Sequence, residues 1–477
     1  MTSHPSVLTP GRSAAAGAPP TRPQGEGAFD SARLETLIAK YGERVPRYTS
    51  YPTAPHFKPE VGPEVYAEWL AALDPAEPIS AYIHVPFCAS LCWYCGCHMS
   101  VVRSHEPVID YVDRLAEEFQ LVARHLKAPL TIKALHFGGG TPNILKPRDL
   151  DVIFTALRDT FRLDPAAEIA AEMDPRTLTP EWIEAAASHG LSRASLGVQD
   201  IDPEVQRSVN RVQPLQQTAW CAAALRDAGV GSINVDLMYG LPHQTEASVA
   251  ATVREVLTLA PDRIALFGYA HVPWMKPAQR LLPEAAMPGA LSRFRQQETA
   301  AQVLVEAGYI RIGLDHFARG DDDLATDHVR RNFQGYTSDN ISTLLGFGAS
   351  SIGKLPQGYV QNIARTHDWR ASVKDGRLPT ARGIALSEDD RFRAALIERL
   401  MCDLRVDVRE VAAQFGFSSE AVADGMARLG VFEDEGLLKV DGPRLTVTED
   451  GRPFVRSICA VFDRYLVQSA GKHSAGV

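Results

Sequence analysis

The chain contains 477 residues, of which 45% are hydrophobic and 22% are charged. This length and composition predict a globular protein with one large domain and a smaller accessory domain, and they exclude fibrous or wholly disordered chains. The net charge of -9 argues against a nucleic-acid backbone as the main partner. The chain has no run of about 18 apolar residues, and its start, MTSHPSVLTPGRSAAAGAPP, lacks the apolar core of a secretory signal. We therefore expect no membrane partner and a cytoplasmic location.

The N-terminal part of the sequence predicts little regular structure. Residues 1–29 are rich in Ala, Gly, Pro and Ser without an apolar period, so we expect a disordered leader. A short helix is predicted over 32–41. The stretch PRYTSYPTAPHF (46–57) combines aromatic residues with prolines, which favours an extended arm across the surface or across a mouth. The arm and its helices form a region over 30–77.

From residue 78 onward, short apolar runs alternate with longer segments of helical period. The helical segments include 108–126 and 248–260, and the apolar runs are 79–87, 134–140, 168–174, 193–200, 233–242 and 263–273. Strand and helix in repeated alternation predict an α/β fold with a parallel sheet. Six such units favour a partial (β/α)6 barrel over a flat doubly wound sheet, and in both the chemistry belongs at the carboxyl ends of the strands. We place this catalytic barrel and its extension at 78–380.

The character of the sequence changes after about residue 380. Helical patterns at 388–402, 407–415 and 418–429 precede a two-stranded wing over 436–451 and a last helix to about residue 468. The region 381–477 is therefore predicted as a mainly helical, winged-helix-like domain. We expect it to pack against the barrel, because the acidic balance disfavours a nucleic-acid reader.

Four of the seven cysteines stand in CASLCWYCGC, directly after the first predicted strand. Such crowding is unlike a disulfide framework and favours a metal site. Spacings of four and three residues let one loop turn three thiolates toward a common centre, and soft thiolates suit iron–sulfur clusters, zinc or copper(I). A structural zinc site would require a second pair of ligands. Three ligands on one loop thus predict a four-iron cluster with one open iron, with surface thiols or a zinc knuckle as the alternative.

The C-x-x-x-C-x-x-C pattern resembles that of radical S-adenosylmethionine enzymes. Further motifs resemble those of one family within this superfamily, the oxygen-independent coproporphyrinogen III oxidases. In chain order these motifs are PRYTSYPTA, AYIHVPFCASLCWYCGC, HFGGGTP, EMDPR, LGVQD, VNR, NVDLMYGLP, YAHVP, DHFAR and RNFQGYT. They cover nearly the whole chain beyond the leader. The resemblance implies a [4Fe-4S] cluster and one or two molecules of S-adenosylmethionine as cofactors.

The same resemblance assigns roles to the cysteines. It implies that Cys88, Cys92 and Cys95 ligate the cluster, whereas Cys97 is an additional cysteine with a catalytic role or a merely buried thiol. The other cysteines lie in apolar helical patterns and are expected in the core: Cys221, Cys402 and Cys459.

The glycines of HFGGGTP let the backbone approach a ligand and offer amides to its carboxylate or amino acid moiety. Glu172, at the end of the third strand, matches the family's acceptor for cofactor hydroxyl or ammonium groups. Arg211 resembles a cofactor-binding position, and pairing with a structural acid is its alternative. The full cofactor-binding set implied by the resemblance is Tyr82, Tyr94, Gly139, Gly140, Thr141, Glu172, Gln199, Arg211, Asp236, Ala270 and Ile352.

A second implied set closes over a large tetrapyrrole. Phe333 and Gln334 in RNFQGYT are expected to be catalytic, and the guanidinium groups of Arg47 and Arg331 suit propionate carboxylates. Tyr48 and Tyr51 complete the substrate set. Between DDDLA (321–325) and RRNFQGYT (330–337) the chain is about four residues shorter than the family pattern, which predicts a trimmed loop with retained chemistry.

The implied reaction is oxidative decarboxylation of two propionates of coproporphyrinogen III to vinyl groups, giving protoporphyrinogen IX. A 5′-deoxyadenosyl radical would abstract the hydrogen, and a low-potential electron donor and an unidentified acceptor would complete the chemistry. We expect a monomer without nucleic acid. The rival interpretations are a haem-binding trafficking protein on the same scaffold, a radical methyltransferase or haem-opening enzyme, and a structural zinc module.

Overall fold

The computed structural model describes residues 31–42, 45–326, 329–333 and 335–466. The leader predicted over 1–29 lies outside these residues. The strands within them are β1 (Ile79–Val85), β2 (Phe87–Cys88), β3 (Ser100–Val101), β4 (Thr131–Gly139), β5 (Arg162–Met173), β6 (Arg193–Gln199), β7 (Ser232–Tyr239), β8 (Arg263–Gly268), β9 (Ile310–Ile312), β10 (His316–Ala318), β11 (Arg330–Asn332), β12 (Gly335–Thr337), β13 (Leu344–Phe347), β14 (Ile352–Leu355), β15 (Gly358–Asn362), β16 (Thr380–Ala385), β17 (Arg405–Asp407), β18 (Leu438–Asp441) and β19 (Arg444–Val447).

The α-helices of the described residues connect or cover these strands. They are α1 (Ser31–Tyr41), α2 (Pro63–Ala71), α3 (Glu106–Ala123), α4 (Pro147–Thr160), α5 (Pro180–Ser188), α6 (Pro203–Ser208), α7 (Leu215–Asp227), α8 (Glu246–Leu257), α9 (Ala290–Glu306), α10 (Thr366–Lys374), α11 (Glu388–Asp403), α12 (Val408–Gln414), α13 (Ala423–Arg428), α14 (Gly430–Asp434) and α15 (Val455–Cys459). None of them combines the length and the apolar composition that a membrane crossing requires.

A twelve-stranded sheet forms the centre of the protein, with the order β16-β15-β14-β13-β1-β4-β5-β6-β7-β8-β10-β9. Its seven central strands, β13 to β8, are parallel, and the strands on both sides of them are antiparallel. From β1 to β8 consecutive strands are neighbours joined by helical crossovers, which is the connection that parallel pairing requires. The predicted barrel-type α/β fold is confirmed. The carboxyl ends of its six βα strands share one edge.

The two faces of these strands differ in polarity. Along β7 the residues alternate between half-buried and buried, and the same alternation runs along β6. Val235 and Leu237 point outward into a core with α8 and α9, whereas Asn234 and Asp236 point to the inner face. The polar side chains of the strands therefore line the inside of the barrel, where a ligand can reach them.

The predicted arm lies deeper than expected. Residues 46–57 are only partly extended, because Tyr48 has a φ of 49° and Ala54–His56 form a 3-10 turn. Tyr48 and Tyr51 are only 4% and 3% exposed. Their rings belong to a core shared with α1, α11 and α15, so the expectation of a surface position was wrong. The reason is that the aromatic side chains of the arm fill the space between the barrel and the C-terminal helices.

The C-terminal region contains the predicted wing, with an additional strand. β18 and β19 pair as expected, but β17 joins them to make a three-stranded antiparallel sheet. β17 exists because α11 ends at Leu404 in the left-handed conformation (φ 56°), which turns the chain back along β19. The predicted helix at 418–429 begins as a 3-10 turn before α13, and the last helix, α15, is much shorter than expected.

Candidate active site

The cysteine loop starts where β1 ends and crosses toward the far side of the barrel. β2 pairs with β3 and closes the base of the loop. Its tip is fixed to the segment after α6, because the amide of Trp93 donates to the carbonyl of Val209 (3.0 Å) and Asn210 donates to that of Leu91 (2.8 Å). The loop is thus held at the carboxyl edge of the sheet by residues more than 100 positions away in the chain.

The three cysteines of the C-x-x-x-C-x-x-C pattern lie in different electrostatic surroundings. Cys92 is buried, and the guanidinium groups of Arg176 and Arg211 donate to its sulfur at 3.3 and 3.5 Å. A hydrogen bond with the Cys97 side chain lowers the pKa of Cys95 to about 6, whereas burial raises the pKa of Cys88 to about 12. Two arginines directed at one sulfur match a centre that carries negative charge.

Cys97 is the exposed member of the segment. Its amide donates to the sulfur of Cys95 (3.4 Å), and Lys276 donates to its carbonyl oxygen (3.0 Å). The backbone of Cys97 therefore supports the cysteine loop, while its side chain is hydrogen-bonded to Cys95.

The glycine run after β4 packs against the strand that leads into the cysteine loop. The amides of Gly140 and Thr141 donate to the carbonyls of Val85 and Phe87, both at 2.8 Å. A Cβ atom at Gly140 would lie 2.6 Å from the carbonyl oxygen of Phe87. Both amides are thus hydrogen-bonded inside the protein, and the assignment of Gly140 and Thr141 to cofactor binding stays a prediction. The close approach that glycine permits here is to β2.

Gly139 connects this run to Glu172. Its φ of 111° lies in the region that favours glycine, and a Cβ atom there would meet the ring of His84 at 2.6 Å. The amide of Gly139 donates to Glu172 (3.4 Å), and so does His136 Nε2 (3.2 Å). Burial alone would raise the pKa of Glu172, but these hydrogen bonds hold it below its usual value.

Tyr82 lies on the same inner face. Its ring stacks on His136 with a centroid distance of 5.9 Å, and its hydroxyl lies 3.1 Å from His84 Nδ1. Together with Glu172 these side chains form a polar row across β1, β4 and β5. The charged carboxylate at the end of the row is suited to accept hydrogen bonds from an ammonium or hydroxyl group.

Asp236 continues the polar lining on β7. It accepts hydrogen bonds from Ser195 (2.9 Å) and Asn234 (2.7 Å), and burial raises its pKa to about 6. Gln199, at the end of β6, has a φ of 70° at a register shift between β6 and β7, which changes the direction of its side chain relative to the strand. Both residues stand at the carboxyl edge where the cysteine loop lies.

Arg211 forms a buried ion pair, which was the alternative considered for it. Its guanidinium donates to both oxygens of Asp174, each at 3.3 Å, and to the carbonyl of Gly197. Arg176 donates to the same carboxylate and, like Arg211, to the sulfur of Cys92. The EMDPR segment therefore links the end of β5 to the cysteine loop.

Two protein families and several curated relatives match this chain. Residues 82–256 match the Radical SAM superfamily model and residues 386–454 match the HemN C-terminal domain model. The oxygen-independent coproporphyrinogen III oxidase of Bradyrhizobium diazoefficiens is 48% identical over 92% of this chain and 99% of its own, and that of Paracoccus denitrificans is 42% identical over 94% and 99%. The chain belongs to the oxygen-independent coproporphyrinogen III oxidase family.

A solved structure agrees with this assignment. The structure titled "Coproporphyrinogen III oxidase (HemN) from Escherichia coli is a Radical SAM enzyme" superposes with a TM-score of 0.84 at 36% identity. The superposition covers 89% of this chain and 100% of the Escherichia coli chain. The family predicted from the motifs is confirmed, and the chain is a radical S-adenosylmethionine oxidoreductase.

Membership of this family implies a [4Fe-4S] cluster and S-adenosylmethionine. The donor set fits, because Cys88, Cys92 and Cys95 supply three thiolates from one loop and two arginines face the middle one. Among the described residues no three His, Cys, Asp or Glu side chains converge closely enough for a single metal ion. The fit therefore rests on the chemistry of the three thiolates and their cationic neighbours.

Three further residues of the predicted cofactor set occupy the rim. Gln279 is buried and donates to the carbonyls of Tyr94 (3.0 Å) and Ala270 (3.2 Å), which joins the cysteine loop to the segment after β8. Ile352 is half-buried on β14, which lies beyond β13 on the other side of β1. Tyr94 and Ala270 are thus neighbours of one glutamine, whereas Ile352 approaches from the opposite side.

A cavity opens at the carboxyl ends of β7 and β8, with about 550 Å³ of empty space that includes part of the open solvent at its mouth. We name it the arginine cavity, because the charged residues that line it within the described part of the chain are one acid, Asp315, and four arginines: Arg47, Arg293, Arg331 and Arg456. Burial alone would raise the pKa of Asp315, but Arg331, with Nη1 at 3.6 Å, and His316 hold it well below its usual value. The sequence analysis anticipated two of these arginines, and the fold adds the other two.

A second cavity, of about 530 Å³, lies next to the hairpin β11–β12. Arg331 lines both cavities, so they are adjacent. Phe333 lines the second cavity with Ser80 and Tyr359, and its ring meets that of Tyr359 edge to face at 5.9 Å. These contacts place Phe333 beside Tyr359 and the start of β1. Gln334 lies outside the described residues.

The arm contributes one cationic side chain to the arginine cavity and is anchored by its tyrosines. Arg47 donates to the carbonyl of Gly268 (3.0 Å). Tyr48 donates to Asp463 (3.1 Å), and the amide of Arg464 donates to the hydroxyl of Tyr51 (3.2 Å). Tyr48 and Tyr51 therefore face the C-terminal core, and only Arg47 faces the cavity.

Several site residues escaped the sequence analysis although they stood in the motifs it used. His84 is in AYIHVPF, His136 in HFGGGTP, and Asp315 in DHFAR. For His84 and His136 the signal was a polar residue within the apolar run of a strand, whereas Asp315 stands in the turn directly before β10. Arg293 and Arg456 gave no such signal, because each lies in an ordinary helical pattern and reaches the cavity through tertiary packing alone.

Proposed function

We propose that this chain catalyses the oxygen-independent oxidative decarboxylation of two propionates of coproporphyrinogen III to vinyl groups, giving protoporphyrinogen IX. The observation that carries the proposal is the position of the cysteine loop opposite the polar inner face of β5 to β7. Glu172 and Asp236 are on that face, and Arg176 and Arg211 hold the loop over it. This arrangement supports a radical cofactor at the mouth of a barrel.

When bound, the cluster and S-adenosylmethionine supply the 5′-deoxyadenosyl radical that removes a hydrogen atom from a propionate. Cys88, Cys92 and Cys95 are the proposed cluster ligands. Glu172 is ionised at neutral pH and would accept hydrogen bonds from the ammonium or hydroxyl groups of the cofactor. The remaining proposed cofactor-binding residues, for one or two molecules of S-adenosylmethionine, are Tyr82, Tyr94, Gly139, Gly140, Thr141, Gln199, Arg211, Asp236, Ala270 and Ile352.

The residues of this chain also exclude water and position the substrate. Gly140 and Thr141 contribute indirectly, because the hydrogen bonds from their amides fix the start of the cysteine loop and thereby the position of Cys88. We assign catalytic roles to Cys97, Phe333 and Gln334. Arg47 and Arg331 would bind propionates, while Tyr48 and Tyr51 hold the arm in place.

The organisation of the chain follows from these roles. We propose an N-terminal arm with its helices over 30–77, a catalytic barrel with its extension over 78–380, and a mainly helical domain over 381–477 that covers the barrel. All seven cysteines are free, which suits an enzyme in the reducing cytoplasm, and we propose that it is a monomer. A low-potential electron donor and an electron acceptor complete the reaction.

The experiment is anaerobic reconstitution with iron and sulfide, followed by a dithionite-driven assay with coproporphyrinogen III. We expect release of two carbon dioxide molecules per tetrapyrrole, together with 5′-deoxyadenosine. Cleavage of S-adenosylmethionine without any loss of carbon dioxide would refute the substrate and leave the radical chemistry intact. Haem bound to the purified protein without decarboxylation would instead favour the trafficking function.

A further inference from the structure

The three thiolates of the cysteine loop differ in the groups that hydrogen-bond to them. The sulfur atoms of Cys88 and Cys95 contact a hydroxyl and a backbone amide, which are neutral groups. Cys92 instead accepts hydrogen bonds from two guanidinium groups, from Arg176 Nη2 at 3.3 Å and from Arg211 Nη1 at 3.5 Å. Within the described part of the chain, charged hydrogen-bond donors therefore contact these three sulfur atoms at Cys92 alone.

A single carboxylate orients both arginines. Arg176 donates to the two oxygens of Asp174 through Nε (3.0 and 3.1 Å) and to one of them through Nη2 (2.6 Å). Arg211 donates to the same carboxylate through Nη1 and Nη2, at 3.3 Å each. The side chains of Arg176, Arg211 and Asp174 are only 16%, 7% and 11% exposed. Because paired hydrogen bonds to a carboxylate fix the plane of a guanidinium, Arg176 presents Nη2 to Cys92 in a defined direction.

The backbone of Asp174 is held in place from outside this ion pair. Its amide donates to Asn143 Oδ1 (2.9 Å), and Asn143 Nδ2 donates to its carbonyl oxygen (3.2 Å). Asn143 is buried and stands just after the glycine run that follows β4. The carboxylate that directs Arg176 toward the cysteine loop is therefore fixed before any cofactor binds.

Support of the loop alone does not require a guanidinium at Cys92. The tip of the loop is already held by the hydrogen bonds of Trp93 and Asn210. A buried guanidinium is costly unless anions receive it, and the Cys92 thiolate is the second anion that Arg176 contacts, after Asp174. A hydrogen bond from a cation withdraws electron density from a ligating thiolate, which stabilises the reduced, more negative state of an iron–sulfur cluster.

We propose that Arg176, oriented by Asp174, raises the reduction potential of the cluster through its hydrogen bond to Cys92. In the step that this affects, one electron from the low-potential donor converts the oxidised cluster to the reduced cluster, and no bond forms or breaks. Arg176 acts through Cys92 and is therefore a positioning residue, whereas Arg211 keeps its proposed role in cofactor binding. This inference rests on the cluster of the proposed function, but it does not depend on the tetrapyrrole.

The test is a redox titration of the reconstituted holoenzyme without tetrapyrrole or S-adenosylmethionine, in which electron paramagnetic resonance measures the reduced cluster. Arg176→Met removes the charge and the hydrogen bond but keeps an unbranched side chain. We expect its equilibrium constant for reduction to fall by about ten-fold, which corresponds to about 59 mV for one electron. Arg176→Lys should recover part of the loss, because it restores the charge without the planar guanidinium. An equilibrium constant for Arg176→Met within about two-fold of the wild-type value would overturn the proposal.

Asp174→Asn separates an effect on the potential from support of the loop. Removing a negative charge beside the arginines should raise the equilibrium constant for reduction, which is opposite in sign to the effect of Arg176→Met. Shifts of both variants in the same direction would indicate a loosened loop and would refute the proposal. The matched control is Arg263→Met, because Arg263 forms a buried pair with Asp322 (2.8 Å; 7% and 6% exposed) at the start of β8, away from the carboxyl edge. Its potential should equal that of the wild type.

Further measurements keep these outcomes separate from others. Circular dichroism and iron content establish that each variant has folded and binds the cluster, and Arg176→Gln replaces Arg176→Met if the latter binds no iron. Failure of both variants to bind iron would mean that Arg176 is required for cluster assembly, which would refute an effect on the potential. A lowered potential in Arg176→Met with no carbon dioxide release by the wild type would refute the substrate and leave this inference intact. A wild type without a four-iron signal would overturn both.

Discussion

The cysteine loop and the arginine cavity are assembled in opposite ways. The cysteine loop takes its three thiolates from eight consecutive residues, and nearby glycines fix its base. The arginine cavity takes its four guanidinium groups from the arm, α9, β11 and α15, which are spread over more than 400 residues. A local motif can thus carry the reactive centre, whereas recognition of a large substrate depends on the complete tertiary structure.

The difference predicts that single changes in the loop abolish chemistry. Cys92→Ser should leave the cluster one ligand short and the two arginines without their thiolate, so iron binding and 5′-deoxyadenosine formation should both be lost. Cys459→Ser is the matched control, because Cys459 is fully buried in the C-terminal core. Iron analysis and product assays make the measurement, and normal iron content in Cys92→Ser would contradict the ligand assignment.

Substitutions in the residues that support the cysteine loop should affect iron binding nearly as strongly. Gly140→Ala places a Cβ atom 2.6 Å from the Phe87 carbonyl oxygen, so β2 must move and Cys88 with it. We expect a loss of about 1–3 kcal/mol in the free energy of unfolding and reduced iron content. Gly430→Ala, where a Cβ atom meets nothing within 4 Å, serves as the control. Equal iron content in the two variants would show that the glycine run does not position the cysteines.

A substitution on the inner face of the barrel should change the free energy of unfolding by a moderate, pH-dependent amount. The pKa of Asp236 is raised to about 6 in the folded protein, so its ionisation opposes folding as the pH rises from about 4 through 6. Asp236→Asn should therefore stabilise the protein by about 1–2 kcal/mol above pH 6 and have no such effect near pH 4. Denaturant unfolding at both pH values makes the comparison.

Asp321→Asn supplies the baseline for this experiment, since Asp321 is 76% exposed. A stabilisation by Asp236→Asn that is equal at both pH values would mean that the buried charge is not its cause.

The smallest effect is expected for a substitution in the arm next to the arginine cavity. Tyr48→Phe removes one hydrogen bond to Asp463 and should cost about 1 kcal/mol of unfolding free energy. Because Arg47 is adjacent, the KM for the tetrapyrrole should rise while kcat stays unchanged. Tyr41→Phe loses a comparable bond, to the Val431 carbonyl (3.2 Å), and lies outside the stretch 46–57 that carries Arg47. A rise in KM for both variants would mean that the arm has no specific part in substrate binding.

The same contrast explains what the sequence revealed. The six barrel strands, the carboxyl edge and the cysteine loop were predictable because alternation of apolar runs and local spacing encode them. The hydrogen bonds from the amides of Gly140 and Thr141 were not predictable, because the sequence does not show that the segment ending in β2 packs against residues 140 and 141. Arg293 and Arg456 could not be found, since nothing local marks a helical arginine that a distant strand end will face.

The anchors of the arm also impose an order on biosynthesis. Tyr48 and Tyr51 rest on Asp463 and Arg464, which follow them by 415 and 413 residues. A ribosome must therefore release the chain through residue 464 before the arm can settle and bring Arg47 to the barrel. The nascent chain can form its cysteine loop early, but it remains unable to enclose a tetrapyrrole until residues 463 and 464 have emerged.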